Sequence, residues 1–462
     1  MAYTIINDGT GFFQTLTWTG NGSNRSLTFD GNSNLQPNFT WIKQRSGTNY
    51  HSLTDSVREL TSQLYSNSTE AQATNNTTNI TAYNSNGFSL GTDTNVNGNG
   101  STYAGFNWSG AGATPSNTYV VKVVSDSGNK YRFDNFGASA VTLEISEGGT
   151  FTFDQADSSN NGHPLRFATQ ADGANSSQYT TGVTTNGTPG QAGAYTRITV
   201  AASAPTLFYY CTNHSGMGGQ ANTPTTNSFS NFSGTIQSNI SPNTTSGFSI
   251  VKYTGTGNVA TVGHGLGVKP DFVIIKELSN ANSWFVYHQS LGATHYLYLN
   301  DTDASAANSN FFQNTEPTST LCTIGTDNVV NRSSSSYIMY AFAEVQGFSK
   351  MGSYVGNGNA DGTFIYTGFK PAFFLQKKSS AAGSYWNMWG YTSLSGSNTI
   401  GRRLFPNVSS AESSQDSSPM ADFCSNGVKL RQTDADYNGS GVTYIYMAFA
   451  ENPFTSSTGT PV

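Results

Sequence analysis

Tyr337–Glu344 reads YIMYAFAE, and Tyr444–Glu451 reads YIYMAFAE. Successive side chains of an extended strand point to opposite faces. In both copies Tyr, Met or Tyr, and Ala therefore take one face, while Ile, Tyr or Met, and Phe take the other. Both faces carry bulk, which suits a strand inside a two-sheet sandwich. A third strand led by tyrosine, Tyr103-AGFNW, stands near the start of the chain.

Working outward from these strands, the same signals recur in the same order. Each unit begins with a glycine turn, Gly20-Asn-Gly22, Gly255-Thr-Gly257 or Gly356-Asn-Gly358, of the kind that supplies positive φ between strands. A proline follows, opening an apolar strand that ends in lysine: Pro37-NFTWI-Lys43, Pro270-DFVII-Lys276 and Pro371-AFFLQ-Lys377. Then come SNGFSLG ending at Gly91, LCTIG ending at Gly325 and SNGVKLR ending at Arg431, and after each the tyrosine strand. Internal repetition of this kind decides architecture before any local assignment does. The fold class expected is all-β: tandem β-sandwich, jelly-roll-like modules at 1–116, 224–348 and 349–462, with a separate unit at 117–223. Helix is scarce; the one candidate is DSVRELTSQL, Asp55 to Leu64, read as a loop with a short helix behind an aspartate cap.

The quoted motifs, GNGNADGTFIYTGFKPAFFLQKK with SNGVKLR and TYIYMAFAENPF, and TGTGNVATVGHGLGVKPDFVIIK with YIMYAFAE, resemble a repeat domain of structural proteins in marine tailed phages, usually labelled tail fibre or virion proteins. The resemblance implies a non-enzymatic virion or appendage role in assembly and host-surface adhesion. It also implies partners of three kinds: further copies of the chain in a homo-oligomer such as a trimer, other virion proteins, and a host receptor or glycan. Localisation would be the virion, after synthesis in host cytoplasm. Capsid decoration or filament formation is a close variant, and a polysaccharide-cleaving tailspike is a further alternative. Linked units sharing one chain suit a rod or a multivalent adhesin.

Composition agrees with a surface role. Only 10% of the 462 residues are charged while 13% are aromatic, and 49 are glycine. Solubility then rests on Asn, Ser and Thr, and the recurring aromatic and β-branched residues argue against disorder. The formal charge of -6 comes from 21 basic and 27 acidic residues with no basic block, so the footprint of a nucleic-acid binder is missing. No apolar run approaches the roughly 20 residues that span a bilayer, and the start lacks the features of a signal peptide. Three cysteines at 211, 322 and 424 give no disulfide framework.

Between the first and second repeats the signals change. YVVKVVSDSGNKYRF gives two strands around Ser127-Gly-Asn129, and VTLEISEGGTFTFD two more around Glu147-Gly-Gly149; further strands follow at Tyr195-TRITV and Pro205-TLFYYC. The last runs into Cys211-TN-His214-SG-Met217, and His163 follows the earlier strand FTFD. Two imidazoles, a thiolate and a weak axial thioether form a donor set that favours copper. The unit resembles the small cupredoxins, with the two-residue ligand spacing of amicyanin's short loop. That resemblance implies an inserted Greek-key sandwich with His163, Cys211 and His214 as equatorial ligands and Met217 axial. It also opens an alternative function, a copper redox protein tethered to a surface by its β modules.

Other features carry less. His264 and His288 have no partner at ligand spacing and are assigned no role. Asp301 with Asp303, and Asp434 with Asp436, lack the further oxygen ligands of a calcium loop and read as turn formers. No nucleophile elbow, catalytic triad signature or phosphate loop is found. Trp284, Trp386 and Trp389 fall in variable stretches, where exposed aromatics would serve recognition; the alternative is that they are core residues, since Trp284 and Trp386 hold nearly the same repeat position.

Overall fold

In each repeat the tyrosine strand lies at the centre of the main sheet, between the strand that opens the repeat and the proline strand. Thr102–Trp108 is flanked by Phe13–Thr19 and Phe39–Gln44, Ser336–Phe342 by Phe248–Thr254 and Phe272–Glu277, and Thr443–Phe449 by Ser349–Val355 and Phe373–Lys378. All of these pairs are antiparallel. The computed structural model describes residues 4–112, 114–415, 417–450 and 452. The protein is all-β, built of packed sheets with only short helical turns.

The two loaded faces of the tyrosine strand have separate destinations. One face packs inside its own repeat, against a smaller sheet. Tyr103 meets Leu27, Phe88 and Leu90; Tyr337 and Met339 meet Val262, Cys322 and Ile324; Tyr444, Tyr446 and Ala448 meet Ile365, Val428 and Leu430. The other face packs against the sibling repeats. Phe106, Trp108, Ile338, Tyr340, Phe342, Ile445, Met447 and Phe449 all belong to one core that spans the three units. Register makes Trp108, Phe342 and Phe449 equivalent, because each pairs with the first residue of its proline strand, Phe39, Phe272 or Phe373. These three rings meet one another, with centroids 6.1 Å (Trp108 to Phe342), 5.7 Å (Trp108 to Phe449) and 5.9 Å (Phe342 to Phe449) apart. Bulk on both faces thus marks more than a sandwich interior: the second face is the contact between repeats.

The contacts at the rim run in a closed ring. In repeat 2, Trp284 Nε1 donates to the Tyr65 and Ser68 carbonyls of repeat 1 at 3.1 and 3.0 Å. In repeat 3, Trp386 Nε1 donates to the Tyr298 carbonyl of repeat 2 at 2.9 Å. His51 holds the matching place in repeat 1 and is turned toward the Phe405 backbone of repeat 3, although its Nε2 has no partner that meets hydrogen-bond geometry. Arg45 closes the ring, donating to Glu412 through Nε at 2.6 Å and Nη2 at 3.1 Å. Buried aromatic rings with a satisfied N–H combine large apolar area with directional bonding. Trp284 and Trp386 are buried in these contacts between repeats and Trp389 inside repeat 3 against Phe374 and Tyr437, all at 0–1% exposure, which corrects the expectation that they present themselves for recognition and agrees with the alternative that they are core residues.

The lysine that ends each proline strand is buried as well. Lys276 Nζ reaches the Thr69 carbonyl of repeat 1 and its own Glu277 carbonyl, and Lys377 Nζ the Thr302 carbonyl of repeat 2 and Ser384 of its own. Lys43 Nζ binds the Gln44 and Gly47 carbonyls within repeat 1. Burial pushes all three ammonium groups down to about 8.

The glycine turn of each repeat crosses from the main sheet to the smaller one rather than closing a hairpin. The first glycine has no room for a side chain: a Cβ on Gly20, Gly255 or Gly356 would lie 2.2, 2.3 or 2.4 Å from the carbonyl oxygen of Gly98, Arg332 or Gly439. What holds the turn there is an Asp-x-x-x-Asn segment. Asp93, Asp327 and Asp434 cap a short turn. Four residues on, the Asn97, Asn331 and Asn438 amides bridge the glycine turn to the strand before them. The leading tyrosine hydroxyl completes the lock by donating to the Thr94, Asn328 or Ala435 carbonyl.

The segment Asp55 to Leu64 holds no helix. The Asp55 carboxylate accepts from the Val57 and Arg58 N–H groups, as a cap would, but the Arg58 guanidinium folds back onto it at 2.6 Å and the Tyr340 hydroxyl donates to it at 2.7 Å. The buried ion pair lies within repeat 1, and the Tyr340 hydroxyl ties it to repeat 2.

Residues 116–222 form two five-stranded sheets around a core of their own that continues into repeat 2. Phe232, in the connection to repeat 2, packs on Tyr119, Phe133 and Phe136. The inserted unit is thus seated on repeat 2 by aromatic contact.

Two predictions follow from burial. Trp386→Ala is expected to destabilise the chain by about 3–5 kcal/mol, the usual effect of truncating a buried Trp, where an exposed recognition residue would change stability by within about 0.5 kcal/mol; denaturant melts separate the two. His264 and His288 accept N–H groups on Nδ1, from Leu266 and Ser290, and place Nε2 against the Thr318 and Tyr446 carbonyls, so each ring must be neutral. Burial pushes both down to about 4. The unfolded chain binds these protons near pH 6.5, so their stabilisation is complete above about 6.5 and is lost as pH falls toward 4. Melting temperatures at pH 7.5 and 4.5, with imidazole NMR titration to assign the protons, check this.

Candidate metal centre

Strand register assembles the site. Leu207–Cys211 runs antiparallel to Leu165–Ala168, with Cys211 opposite Leu165. His163, two residues before Leu165, therefore arrives beside the thiol, and the turn after Cys211 returns His214 to the same point. His163 Nδ1 lies 3.8 Å and His214 Nδ1 3.7 Å from Cys211 Sγ. All three ligand atoms fall within 4.8 Å of one another, the only such cluster of three among the described residues. The two rings sit 4.5 Å apart at 47°. Cys211 is buried, His163 half-buried and His214 exposed, so the cluster sits at the module's surface with its sulfur inward. Met217 is buried in the module's core, and its carbonyl accepts the Tyr131 N–H.

The two loops are pinned to each other. Asn213 Nδ2 donates to the Gly162 carbonyl at 2.9 Å, and the Thr212 N–H to Pro164 at 3.2 Å. Beyond His214, the Asp172 carboxylate accepts the Gly216 N–H at 2.9 Å, and Lys130 Nζ donates to the Gly216 carbonyl. Gly218 admits no side chain, since a Cβ there would stand 1.6 Å from the Tyr209 carbonyl oxygen. The His163 backbone is fixed by the Tyr131 hydroxyl and Gln155 Nε2, both 2.9 Å from its carbonyl, while its own N–H donates to Asn160. Gln155 Oε1 also accepts the Leu165 N–H. These supporting residues were not legible in the sequence, because all act on backbone groups brought near only by folding.

The donor set fits a metal ion. Bonds of about 2.3 Å to sulfur and 2.0 Å to nitrogen, opened at a trigonal angle, place S and N roughly 3.7 Å apart, the spacing found for both histidines. Partial burial, then the neighbouring His214 ring, holds His163 below the usual imidazole range, which keeps it neutral and able to ligate. Burial, then the neighbouring Cys211, pushes the Tyr131 hydroxyl far up, so it stays a donor. Two imidazole nitrogens and one thiol are donors that suit soft or borderline first-row ions, copper and zinc among them.

The other candidates fall elsewhere. His264 and His288 serve as neutral core rings. Asp434 and Asp436 lie 3.8 Å from the Arg403 guanidinium, and Asp434 is a turn cap, so these carboxylates are engaged within repeat 3. Asp301 Oδ1 accepts the Thr302 N–H as a turn former does, and Asp303 adds its charge to the field around Lys377.

Comparison with known proteins gives one finding. A family model described as a domain of unknown function (DUF7483) matches residues 8–141 and 219–453. The search of curated proteins returns no match. The matched segments carry the three repeats and the edges of the inserted unit, and the interval between them holds His163, Cys211, His214 and Met217. By this match the chain belongs to the DUF7483 family.

Proposed function

We propose that this chain is a non-enzymatic structural protein of a tailed-phage particle, in which three interlocked β repeats form a rigid body and the inserted, cupredoxin-like module binds one copper ion. The observation that carries the metal assignment is the pair of imidazole Nδ1 atoms 3.8 and 3.7 Å from one buried thiol. His163, Cys211 and His214 would hold the ion, and the resemblance names Met217 as a further donor. Bound there, copper would add its binding free energy to the folding of the module and supply a one-electron couple. The chain's own residues do the rest: Tyr131, Gln155 and Asn160 hold His163 in place, Asn213 ties the two ligand loops together, and Asp172 with Lys130 fixes the turn after His214. The particle role rests on the repeat resemblance and on the sparse charge of a chain whose repeats close on one another; assembly and host-surface contact are the work proposed for them.

Titration of the intact chain with copper tests this reading. One equivalent is expected to bind, to produce a thiolate-to-Cu(II) charge-transfer band in the visible and to raise the melting temperature; Cys211→Ser and His163→Ala are each expected to abolish the band. Absence of any stoichiometric copper effect on the wild type, or an unchanged band in Cys211→Ser, contradicts the site. Quantitative mass spectrometry of purified particles tests the structural role, which fails if the chain is absent from them.

A further inference from the structure

Each repeat has an outer strand at the edge of its smaller sheet: Arg25–Leu27, Ala260–Gly263 and Phe364–Tyr366. Pairing with the following strand of that sheet aligns Ser26, Thr261 and Phe364, opposite Ser89, Thr323 and Lys429 respectively. In repeat 2 this edge is already taken. The Thr235 and Ile236 N–H groups donate to the Thr261 carbonyl at 3.0 and 3.1 Å, and the Thr261 N–H donates to Thr235 Oγ1 at 2.9 Å. The edge of this fold is therefore built to receive an extended segment, and the chain itself supplies the example.

In repeat 3 no segment lies on the matching edge among the described residues. Its outward positions also differ from those of its siblings. Where repeat 1 has Ser26 and Thr28 and repeat 2 has Thr261 and Gly263, repeat 3 has Phe364 and Tyr366, which are 43% and 62% exposed. Ile365 between them is buried, so both rings stand on the outer face. The Tyr366 carbonyl receives one long contact, 3.4 Å, from the Tyr446 hydroxyl. An exposed aromatic edge strand is a ready template for strand pairing, and natural sheets usually guard such edges with charge; repeat 1 does so with Arg25.

We propose that Phe364–Tyr366 pairs antiparallel with the same strand of a second copy of this chain, about a two-fold axis at Ile365. The strand is self-complementary in this register. Outward backbone groups of an edge belong to alternate residues, here Phe364 and Tyr366, and the axis places Phe364 of one copy opposite Tyr366 of the other. The two rings then form cross-strand aromatic pairs on one face, and the contact is isologous, as a closed dimer requires. The charges beside the strand are neutralised within each copy, Lys429 with Asp361 at 2.7 Å and Arg431 with Asp422 at 2.5 Å, so the copies do not repel. The four-stranded smaller sheet of repeat 3 becomes a continuous eight-stranded sheet across the pair. This inference stands apart from the copper site and the particle assignment.

Sedimentation velocity of the full chain at about 100 µM, a concentration that populates weak complexes, tests it. The wild type is expected to be dimeric, and Tyr366→Pro, which removes an edge donor, and Phe364→Lys are each expected to halve the mass while keeping the wild-type circular dichroism. Ser26→Lys, at the matching site of repeat 1, is expected to leave the dimer intact. A monomeric wild type overturns the proposal, as does a dimer that persists in both repeat 3 variants. Should one variant unfold, the other decides.

Discussion

A central strand that is apolar on both faces needs cover twice, and that constraint organises the whole molecule. The smaller sheet of each repeat covers one face of its tyrosine strand. The other face carries Phe106 and Trp108 in repeat 1, Ile338, Tyr340 and Phe342 in repeat 2, and Ile445, Met447 and Phe449 in repeat 3, and it packs into the core shared by the three repeats. Left open, each such face would be an apolar patch of a size that soluble monomers seldom expose. Three siblings on one chain solve this by facing inward together, so what other proteins achieve with three subunits is built here by repetition in sequence. The rim contacts follow from that arrangement: once the repeats are drawn together, Trp284, Trp386 and Arg45 find their partners on the neighbouring unit.

The same frame explains how an inserted module can carry a precise cluster. A metal site needs its ligands held within tenths of an ångström, which second-layer hydrogen bonds and packed elements provide. Here the ligand loops hang from two paired strands of one sheet of the inserted unit; Ile145 beside that sheet's edge strand bridges to Phe229, and the facing sheet packs on Phe229 and Phe232 through Phe151, Tyr119 and Phe133. The family match covers residues 8–141 and 219–453, and the ligand residues lie in the interval between those segments.

How much of this could be read from the residues alone differs from one feature to the next. The repeat units were legible because tyrosine, proline, lysine and glycine each have a backbone or burial role that only that residue type fills, so the signals recur at fixed order. The meeting of His163, Cys211 and His214 was legible because these donor types are chemically specific and rare in this chain. The closed arrangement of the repeats was not legible, since a face that packs on a sibling has the same alternation as one that packs on its own second sheet. The same limit hid the roles of Trp284 and Trp386, whose partners are backbone carbonyls in another repeat. The Asp-x-x-x-Asn lock was written three times but in weak letters, because Asp and Asn are everyday turn residues in so polar a chain. At Asp55 the cap signal was sound, since Oδ1 accepts the Val57 and Arg58 N–H groups; what was not legible is that Oδ2 takes the Arg58 guanidinium and the Tyr340 hydroxyl of another repeat and that no helix follows.

Hydrogen–deuterium exchange on the intact chain tests the shared core most directly. Strands that depend on one another for cover must open together, so peptides containing Trp108, Phe342 and Phe449 are predicted to exchange with one common opening free energy and to be deprotected together by Trp386→Ala. Three separate opening energies, with protection at Trp108 untouched by that substitution, would contradict the account.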